Sequence, residues 1–382
     1  MPRVYTVVLL IESSRGSGRR LLKGIADYAR HHGPWAFYWE PRGLERAWAH
    51  LTHLDPDGII LRDVDAVDEV LSLRLPAVVI GHSRKAIPGL VNVVTESEAI
   101  GRLGAEHLLR AGLRHFAFCG FADKPWSRLR GESFRRRLAM VGFPTHLFEA
   151  PQPLTTRSWK GELAAMIRWL RSLPKPAGLM ACNDDRGQQV LTAASIAGLR
   201  VPDELAVIGA DNDELVCDLS DPPMSSVSIN FERAGYEGAR ALHQLMAGRR
   251  NPRRGILVHS THVVARQSTD ILLVPDPAAA KALRFIRQHA QEHLRVNDVA
   301  RAAGVSRRIL ESRFRTTLGR SVLEEIRRWR VDRISRMLVE TNQSVSQIAL
   351  ALGYGGVEHI ARYFRRETGM TPLAYRRRYG QQ

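Results

Sequence analysis

The sequence predicts an α/β part of two lobes built on parallel sheets, followed by an all-α part with two helix-turn-helix units. Three observations carry that expectation. Over the first 270 residues the chain alternates short apolar runs with amphipathic stretches, the pattern of βαβ units. From there on it is helical in pattern and repeats itself: VARAAGVSRRILESRFRTTLGRS from Val299 is echoed by IALALGYGGVEHIARYFRRETGMT from Ile348. The charge is also uneven, since residues 278–382 hold 21 Lys and Arg against 9 Asp and Glu, while residues 1–277 hold 35 against 30.

Taken in order, the apolar runs predict strands at Val4–Ile11, Trp35–Glu40, Gly58–Leu61, Ala77–Gly81, His115–Cys119, Gly178–Cys182 and Leu205–Gly209. The amphipathic stretches between them predict helices at Arg19–His31, Glu96–Ala111, Arg128–Val141, Trp159–Leu173, Arg186–Gly198 and Phe231–Ala247. So many βα units in residues 1–271 favour two lobes over one sheet. The segment 272–277, LLVPDP, carries two prolines and reads as a linker to the all-helical part, residues 278–382. A helix near Ala278–His293 follows, then the first repeat, a connecting helix near Val322–Glu340 and the second repeat. Ser344 and Gln347 have capping-box spacing at the start of that second unit.

Within the repeat, Ala300 and Gly304 match Ala349 and Gly353 at a spacing of 49, whereas Phe314 and Gly319 match Phe364 and Gly369 at 50. One residue is therefore added after the second turn. In each unit a small Ala lets two helices approach, a Gly permits the turn, and the second helix is offered to a DNA major groove. Arg307, Arg308, Glu311 and Ser312 lie on the early turns of the first such helix, and Glu358, His359 and Arg362 on those of the second. Arginine suits guanine O6 and N7, and a carboxylate accepts from cytosine N4. Phe314 and Phe364 read as core anchors, while Arg313, Arg365 and Arg366 suit phosphate or solvent better than bases. The basic surplus agrees with a polyanion partner, although a merely solubilising surface has the same charge.

The three cysteines, Cys119, Cys182 and Cys217, lie in or beside apolar runs without a CxxC pair, which suits reduced thiols of a cytosolic protein. The apolar run near the amino terminus is too short for a signal segment, and no stretch reaches the length of a membrane span. Polar residues cluster just after the expected strands: Glu12, Ser13 and Ser14 after the first, Asn183 and Asp184 after Cys182, and Asp211 after the run that ends at Ala210. Trp126 and Arg130 open the helix after the Cys119 strand. Carboxylate, amide and guanidinium groups each pair with two neighbouring sugar hydroxyls, and an indole packs on a sugar's C–H face. Asp184 reads equally well as a helix cap.

The tail resembles the AraC/XylS family of transcription regulators, chiefly through Gly353-Tyr, His359-Ile, Phe364-Arg-Arg, Gly369, Pro372 and Tyr375-Arg376. That resemblance implies two helix-turn-helix units on one long helix, with Arg308, Glu311, Ser312, Glu358, His359 and Arg362 at base-reading positions. The first half resembles the sugar-sensing domain of LacI-type repressors, which is periplasmic-binding-protein-like. The matching residues are Cys182-Asn-Asp184, the run Ala206–Asp211, and Arg130 with Phe134. The resemblance implies ligand contacts at Arg130, Asn183 and Asp211, while Arg19 and Trp126 fall at places that match the xylose operon regulators. The amino-terminal DNA-binding domain usual in that family is not expected, because the first strand begins at Val4. The order of sensor then reader resembles XylR-type xylose operon regulators nearly end to end, including Leu205–Leu215 and Arg266–Asp270.

The expected protein is thus a cytoplasmic, sugar-responsive regulator of pentose-utilisation genes. Its partners would be an operator or promoter duplex, D-xylose or a similar pentose, a second copy of the chain, and RNA polymerase if it activates. No cofactor, metal or membrane is implied. Two other readings compete. Gly16-Ser17-Gly18 could begin a dinucleotide fingerprint, but Leu21 stands where the third glycine belongs, and no Walker loop, GxSxG elbow or HExxH is present. An α/β part that only dimerises would make the chain a DNA-binding scaffold.

Overall fold

Strands rich in Val, Ile, Leu and Phe that are buried along their whole length can only sit between two layers of helices, and both lobes are built that way. The computed structural model describes residues 3–40, 54–62, 72, 74–81, 87, 90–150, 156–249, 255–271, 274, 276–289 and 294–380. The chain forms two compact units, residues 1–107 with 114–269, and residues 108–113 with 270–382.

In the first unit, one sheet contains β1 (Tyr5–Leu10), β2 (Trp35–Trp39), β3 (Gly58–Arg62), β4 (Ala77–Ile80), β5 (Val91–Thr95) and β11 (Gly255–Val258). Their order is β11-β5-β4-β3-β1-β2, and every pair is parallel. The other sheet contains β6 (His115–Phe121), β7 (Thr145–Ala150), β8 (Ala177–Ala181), β9 (Leu205–Asp211), β10 (Ser225–Ile229) and β12 (Ser260–Val264). Its order is β12-β10-β9-β8-β6-β7, parallel except for the β10–β12 pair. The chain changes sheet three times: after β5, after β10 and after β11. The helices of this unit are α1 (Gly16–His32), α2 (Ser97–Arg110), α3 (Pro125–Ala139), α4 (Thr156–Ser172), α5 (Asp184–Ala197), α6 (Glu214–Asp218) and α7 (Phe231–Met246).

Helices α1 and α7 lie against one another on the first lobe because each lacks a side chain at the crossing. A Cβ on Gly24 would come within 1.9 Å of the Glu232 carbonyl oxygen, and one on Gly235 within 2.0 Å of that of Leu21. Helix α3 starts three residues before the expected Arg128 because Pro125 supplies a ready-made first helical position. Strands β5, β7, β10, β11 and β12 were not expected from the sequence. Strand β10 reads Ser-Ser-Val-Ser-Ile, and its polarity is deceptive: the Ser226 hydroxyl donates to Asp184 at 2.6 Å, and Ser225 Oγ lies 2.7 Å from Thr269 Oγ1.

The second unit is entirely helical among its described residues. Its elements are α8 (Pro277–Gln288), α9 (Val296–Ala303), α10 (Arg307–Leu318), α11 (Val322–Glu340), α12 (Val345–Ala351), α13 (Val357–Thr368) and α14 (Pro372–Tyr379). Two cores share α11. Val322 and Ile326 near its start join Leu283, Val299, Leu310 and Phe314, whereas Ile334 and Leu338 near its end join Ile348, Ile360 and Phe364. At 19 residues, α11 is a rod of about 28 Å with one helix-turn-helix unit at each end. Gly304 and Gly353 make the two turns in the left-handed region, at φ 73° and 69°. The extra residue of the second repeat lies between Gly353 and Gly356, which precedes α13.

The capping box at Ser344 and Gln347 forms, with the serine hydroxyl accepting from the Gln347 amide and the Gln347 side chain accepting from the Ser344 amide, at 3.1 and 2.7 Å. A second box, Ser321 with Glu324, opens α11 and was not singled out from sequence. Of the expected linker 272–277, Leu272, Leu273 and Pro275 lie outside the described residues. Asp276 caps α8 and Pro277 is its first residue, so the helix begins inside the predicted linker. Residues 290–293 of the helix expected at Ala278–His293 also lie outside the described residues.

Candidate functional site: an inter-lobe cavity and two outward helices

The carboxyl ends of β1, β3, β6, β8 and β9 converge between the lobes, where parallel α/β sheets place their ligands. A cavity of about 270 Å³ opens there, lined by Glu12, Arg15, Ser17, Arg62, Phe121, Trp126, Asn183, Asp184, Asp185, Asp211, Asp213 and Val216. It adjoins a smaller hollow of about 30 Å³ through their shared walls Arg62, Trp126 and Asp211. The larger of the two, at about 270 Å³, falls just below the range of about 300–1,000 Å³ usual for ligand pockets.

Arg130 is buried on the second turn of α3. Its guanidinium donates to the Cys182 carbonyl at 2.6 Å and to Asp211 Oδ1 at 3.2 Å, and its carbon lies 4.8 Å from the centre of the Trp126 ring. Arg130 Nε is buried and has no partner among the described residues. Arg62, the last residue of β3, reaches in from the other lobe and donates to the Ser17 hydroxyl at 2.9 Å. Burial pushes its pKa down, and the carboxylates of Asp211 and Glu12 act against that shift. Burial likewise pushes Asp211 upward against the pull of Arg130, Arg62 and Arg20. Asp184 is held well above the ordinary carboxylate range by burial and by the charge of Asp211, opposed by hydrogen bonds from Ser226 and the Asp213 amide.

The turn after β9 is unusual. Asp211 and Asn212 both have positive φ, 104° and 50°, a conformation that costs a non-glycine residue about 1–3 kcal/mol. Several groups hold it there. The Ser226 hydroxyl accepts from the Asn212 amide at 3.0 Å, Asp184 accepts from the Asp213 amide at 2.7 Å, and Arg266 donates to the Asn212 side chain at 3.0 Å. Strain of this kind is characteristic of ligand-holding turns.

Of the six residues expected at a ligand, Trp126, Arg130, Asn183 and Asp211 come together around these two hollows. Ser13 and Arg19 do not line them. They border a separate apolar hollow with Leu9, Leu22, Phe37 and Trp39, because Arg19 turns back to donate to the carbonyls of Ser13 and Ser14 at 2.9 and 3.0 Å. Ser17, the second residue of α1, lines the cavity instead. Asn183, not Asp184, is the α5 cap, accepting from the Arg186 amide at 3.0 Å. Sequence reasoning passed over Arg62 and Asp213. The only signal for the first is a lone arginine closing the apolar run Gly58–Leu61.

In the helical unit, Arg307, Arg308 and Ser312 are exposed on α10, and Glu358, His359 and Arg362 are exposed on α13. Glu311 differs. It is half-buried, and its carboxylate accepts from the Val322 amide at 3.4 Å, so it turns toward the start of α11 and not outward with its neighbours. Phe314 and Phe364 are fully buried anchors. Arg313 pairs with Asp276 at 3.3 Å. Arg376 donates to the carbonyls of Leu338 and Thr341, at 3.0 and 3.4 Å, and so closes the carboxyl end of α11.

Comparison with known proteins follows the same division. Residues 105–269 match the model of a periplasmic binding protein-like domain, and residues 299–378 match that of a helix-turn-helix domain. The xylose operon regulatory protein of Haemophilus influenzae is 29% identical over 381 residues, covering 97% of this chain and 98% of its own. Its counterpart in Escherichia coli K12 is 28% identical, with 97% of both chains covered. A solved structure of the xylose-binding transcription activator XylR superposes with a TM-score of 0.62 at 27% identity, covering 99% of each chain. A cellobiose complex of the regulator CelR, 22% identical with a TM-score of 0.56, shares the fold of the first unit, covering 70% of this chain and 86% of its own. With a periplasmic-binding-protein-like unit followed by a helix-turn-helix unit, the chain is a transcription regulator of the same build as the xylose operon regulatory proteins, to which it is similar over 97% of its length.

Proposed function

We propose that the inter-lobe cavity is the effector site for D-xylose or a closely related pentose, and that α10 and α13 read successive major grooves of an operator duplex. The regulator is sugar-responsive and not an enzyme, in keeping with relatives that are all named as regulators. The observation that carries the effector reading is the grouping of Trp126, Arg130, Arg62 and Asp211 around the cavity and the small hollow that adjoins it. An aromatic face stands beside guanidinium and carboxylate groups that are themselves cross-paired, which suits a compact polyol. Asn183, Glu12 and Ser17 supply further polar walls. On the DNA side, Arg307, Arg308, Ser312, Glu358, His359 and Arg362 are the base-facing group, with Glu311 bracing α11.

The protein acts in the cytoplasm as a homodimer through the α/β unit, and RNA polymerase is its further partner where it activates. A sugar alters DNA binding only by favouring one arrangement of the protein over another. The test is a thermal-shift panel of pentoses and hexoses. A preferred pentose raises the melting temperature in a saturable manner, and Asp211→Ala abolishes that rise while leaving basal operator binding intact in a gel shift. A flat response to every sugar, with normal DNA binding, would instead make the α/β unit a scaffold.

A further inference from the structure

Helix α1 begins without a cap of its own. Arg15 at its N-cap offers no side-chain acceptor, and the first turn holds no acidic residue. The missing acceptor comes from the other lobe, since Asp213 Oδ2 accepts from the Gly16 amide at 2.6 Å. Its second oxygen lies 3.6 Å from the Arg19 guanidinium. The grip is returned. Arg20 on α1 donates to the carbonyls of Asp211 and Asn212 at 2.6 and 2.8 Å, the two residues of the strained turn. Arg15 pairs with Asp185 at the start of α5 at 3.0 Å. All these contacts join the first lobe to the second beside the cavity. The α1 turn they fix presents Ser17, and the strained turn they fix presents Asp211.

A carboxylate at a helix start satisfies an otherwise unmade N–H bond and meets the positive end of the helix dipole. We propose that Asp213 is a positioning residue for the effector site: it caps α1 across the lobes, so that lobe closure, completion of α1 and assembly of the Ser17–Arg62–Asp211 wall are one event. The role of the wall rests on the cavity being the effector site, whereas the cross-lobe cap does not. Opening the lobes uncaps α1 and removes the Arg20 grip that restrains the strained turn. The sugar's closing contacts and the latch therefore reinforce one another, and loss of either weakens the other.

The experiment is hydrogen exchange at the α1 first-turn amides of the full-length protein, with and without D-xylose, beside a D-xylose titration. Asp213→Ala is expected to speed exchange at those amides by about fivefold, the factor set by one helix cap, and to weaken sugar binding by a similar factor. Asp213→Asn keeps an acceptor and should recover most of both. A second variant guards against simple misfolding. Gly16→Ala puts a helix-favouring residue into α1, but its Cβ would stand 3.0 Å from the Asp213 carboxyl carbon. A purely local effect would leave that variant as protected as wild type or more so; the latch predicts faster α1 exchange and weaker sugar binding. Unchanged α1 exchange in both Asp213→Ala and Gly16→Ala overturns the proposal, as does weaker sugar binding without any change at α1. If wild type binds no pentose while the variants still loosen α1, the latch stands and the effector assignment falls.

Discussion

At the scale of single residues, Asp184 is the clearest example of a site that taxes its own fold. Burial and the neighbouring Asp211 raise its folded pKa well above the ordinary value. The native state then holds a proton that the unfolded chain has already released. Stability from this group is greatest at acid pH and falls as pH climbs from the ordinary carboxylate range through the raised folded value, after which it levels. Melting temperatures measured across that range should decline with pH in wild type and decline less in Asp184→Asn; equal slopes would mean that Asp184 ionises as freely folded as unfolded. On the DNA side, replacing Arg308 or Arg362 by Ala should cost about 1–3 kcal/mol and relax specificity at one base step, read by gel-shift titration against single-base operator variants. An unchanged affinity would place these side chains off the bases. The residues that sequence reasoning found and those it missed differ in one physical respect. Arg130, Asn183 and Asp211 sit in local patterns that a reader can recognise. Arg62 and Asp213 gain their surroundings only from elements far along the chain, Ser17 in one case and Gly16 in the other.

At the scale of elements, the long central strands and the amphipathic helices were legible because burial on both faces or on one leaves a period in the sequence. Strand β10 was not, because its serines satisfy buried partners and so look like loop. Strands β7 and β12 were not, because each sits at the edge of its sheet and is polar along much of its length, and the short apolar run Ile256–Val258 of the edge strand β11 was passed over. The repeat made the two helix-turn-helix units plain, yet the division of α11 between two cores emerges only from packing. Trp329 packs on the first core and Val331 on the second, leaving Arg330 between them. One alanine inserted after Arg330 should turn the second unit by about 100° relative to the first while moving it only about 1.5 Å. Both cores should still fold, as judged by helical circular dichroism. Footprints should shrink from an extended site to the stretch read by one unit, with a large loss of affinity for the full operator. Retention of the full footprint would show that the two units are not held in phase by α11.

At the scale of the whole molecule, most of the excess charge lies on the helical unit and the cavity lies in the α/β unit, so on the proposed function a polyanion and a neutral sugar act on one chain. If a pentose changes operator affinity by some factor, thermodynamic linkage requires the operator to change pentose affinity by the same factor. Typical couplings of 1–3 kcal/mol correspond to about 5–150-fold. The measurement is a pair of titrations at one salt concentration: operator binding with and without saturating D-xylose, and D-xylose binding with and without saturating operator. Salt must be fixed because the electrostatic part of DNA binding falls steeply as counterions are added. Equal factors above about fivefold would establish that cavity and reading helices bias a common equilibrium. A factor near one in both titrations, with each ligand still binding, would leave the two units joined but energetically independent. Unequal factors would signal a linked third equilibrium, and dimer formation is the first to check, by repeating both titrations at a tenfold higher protein concentration.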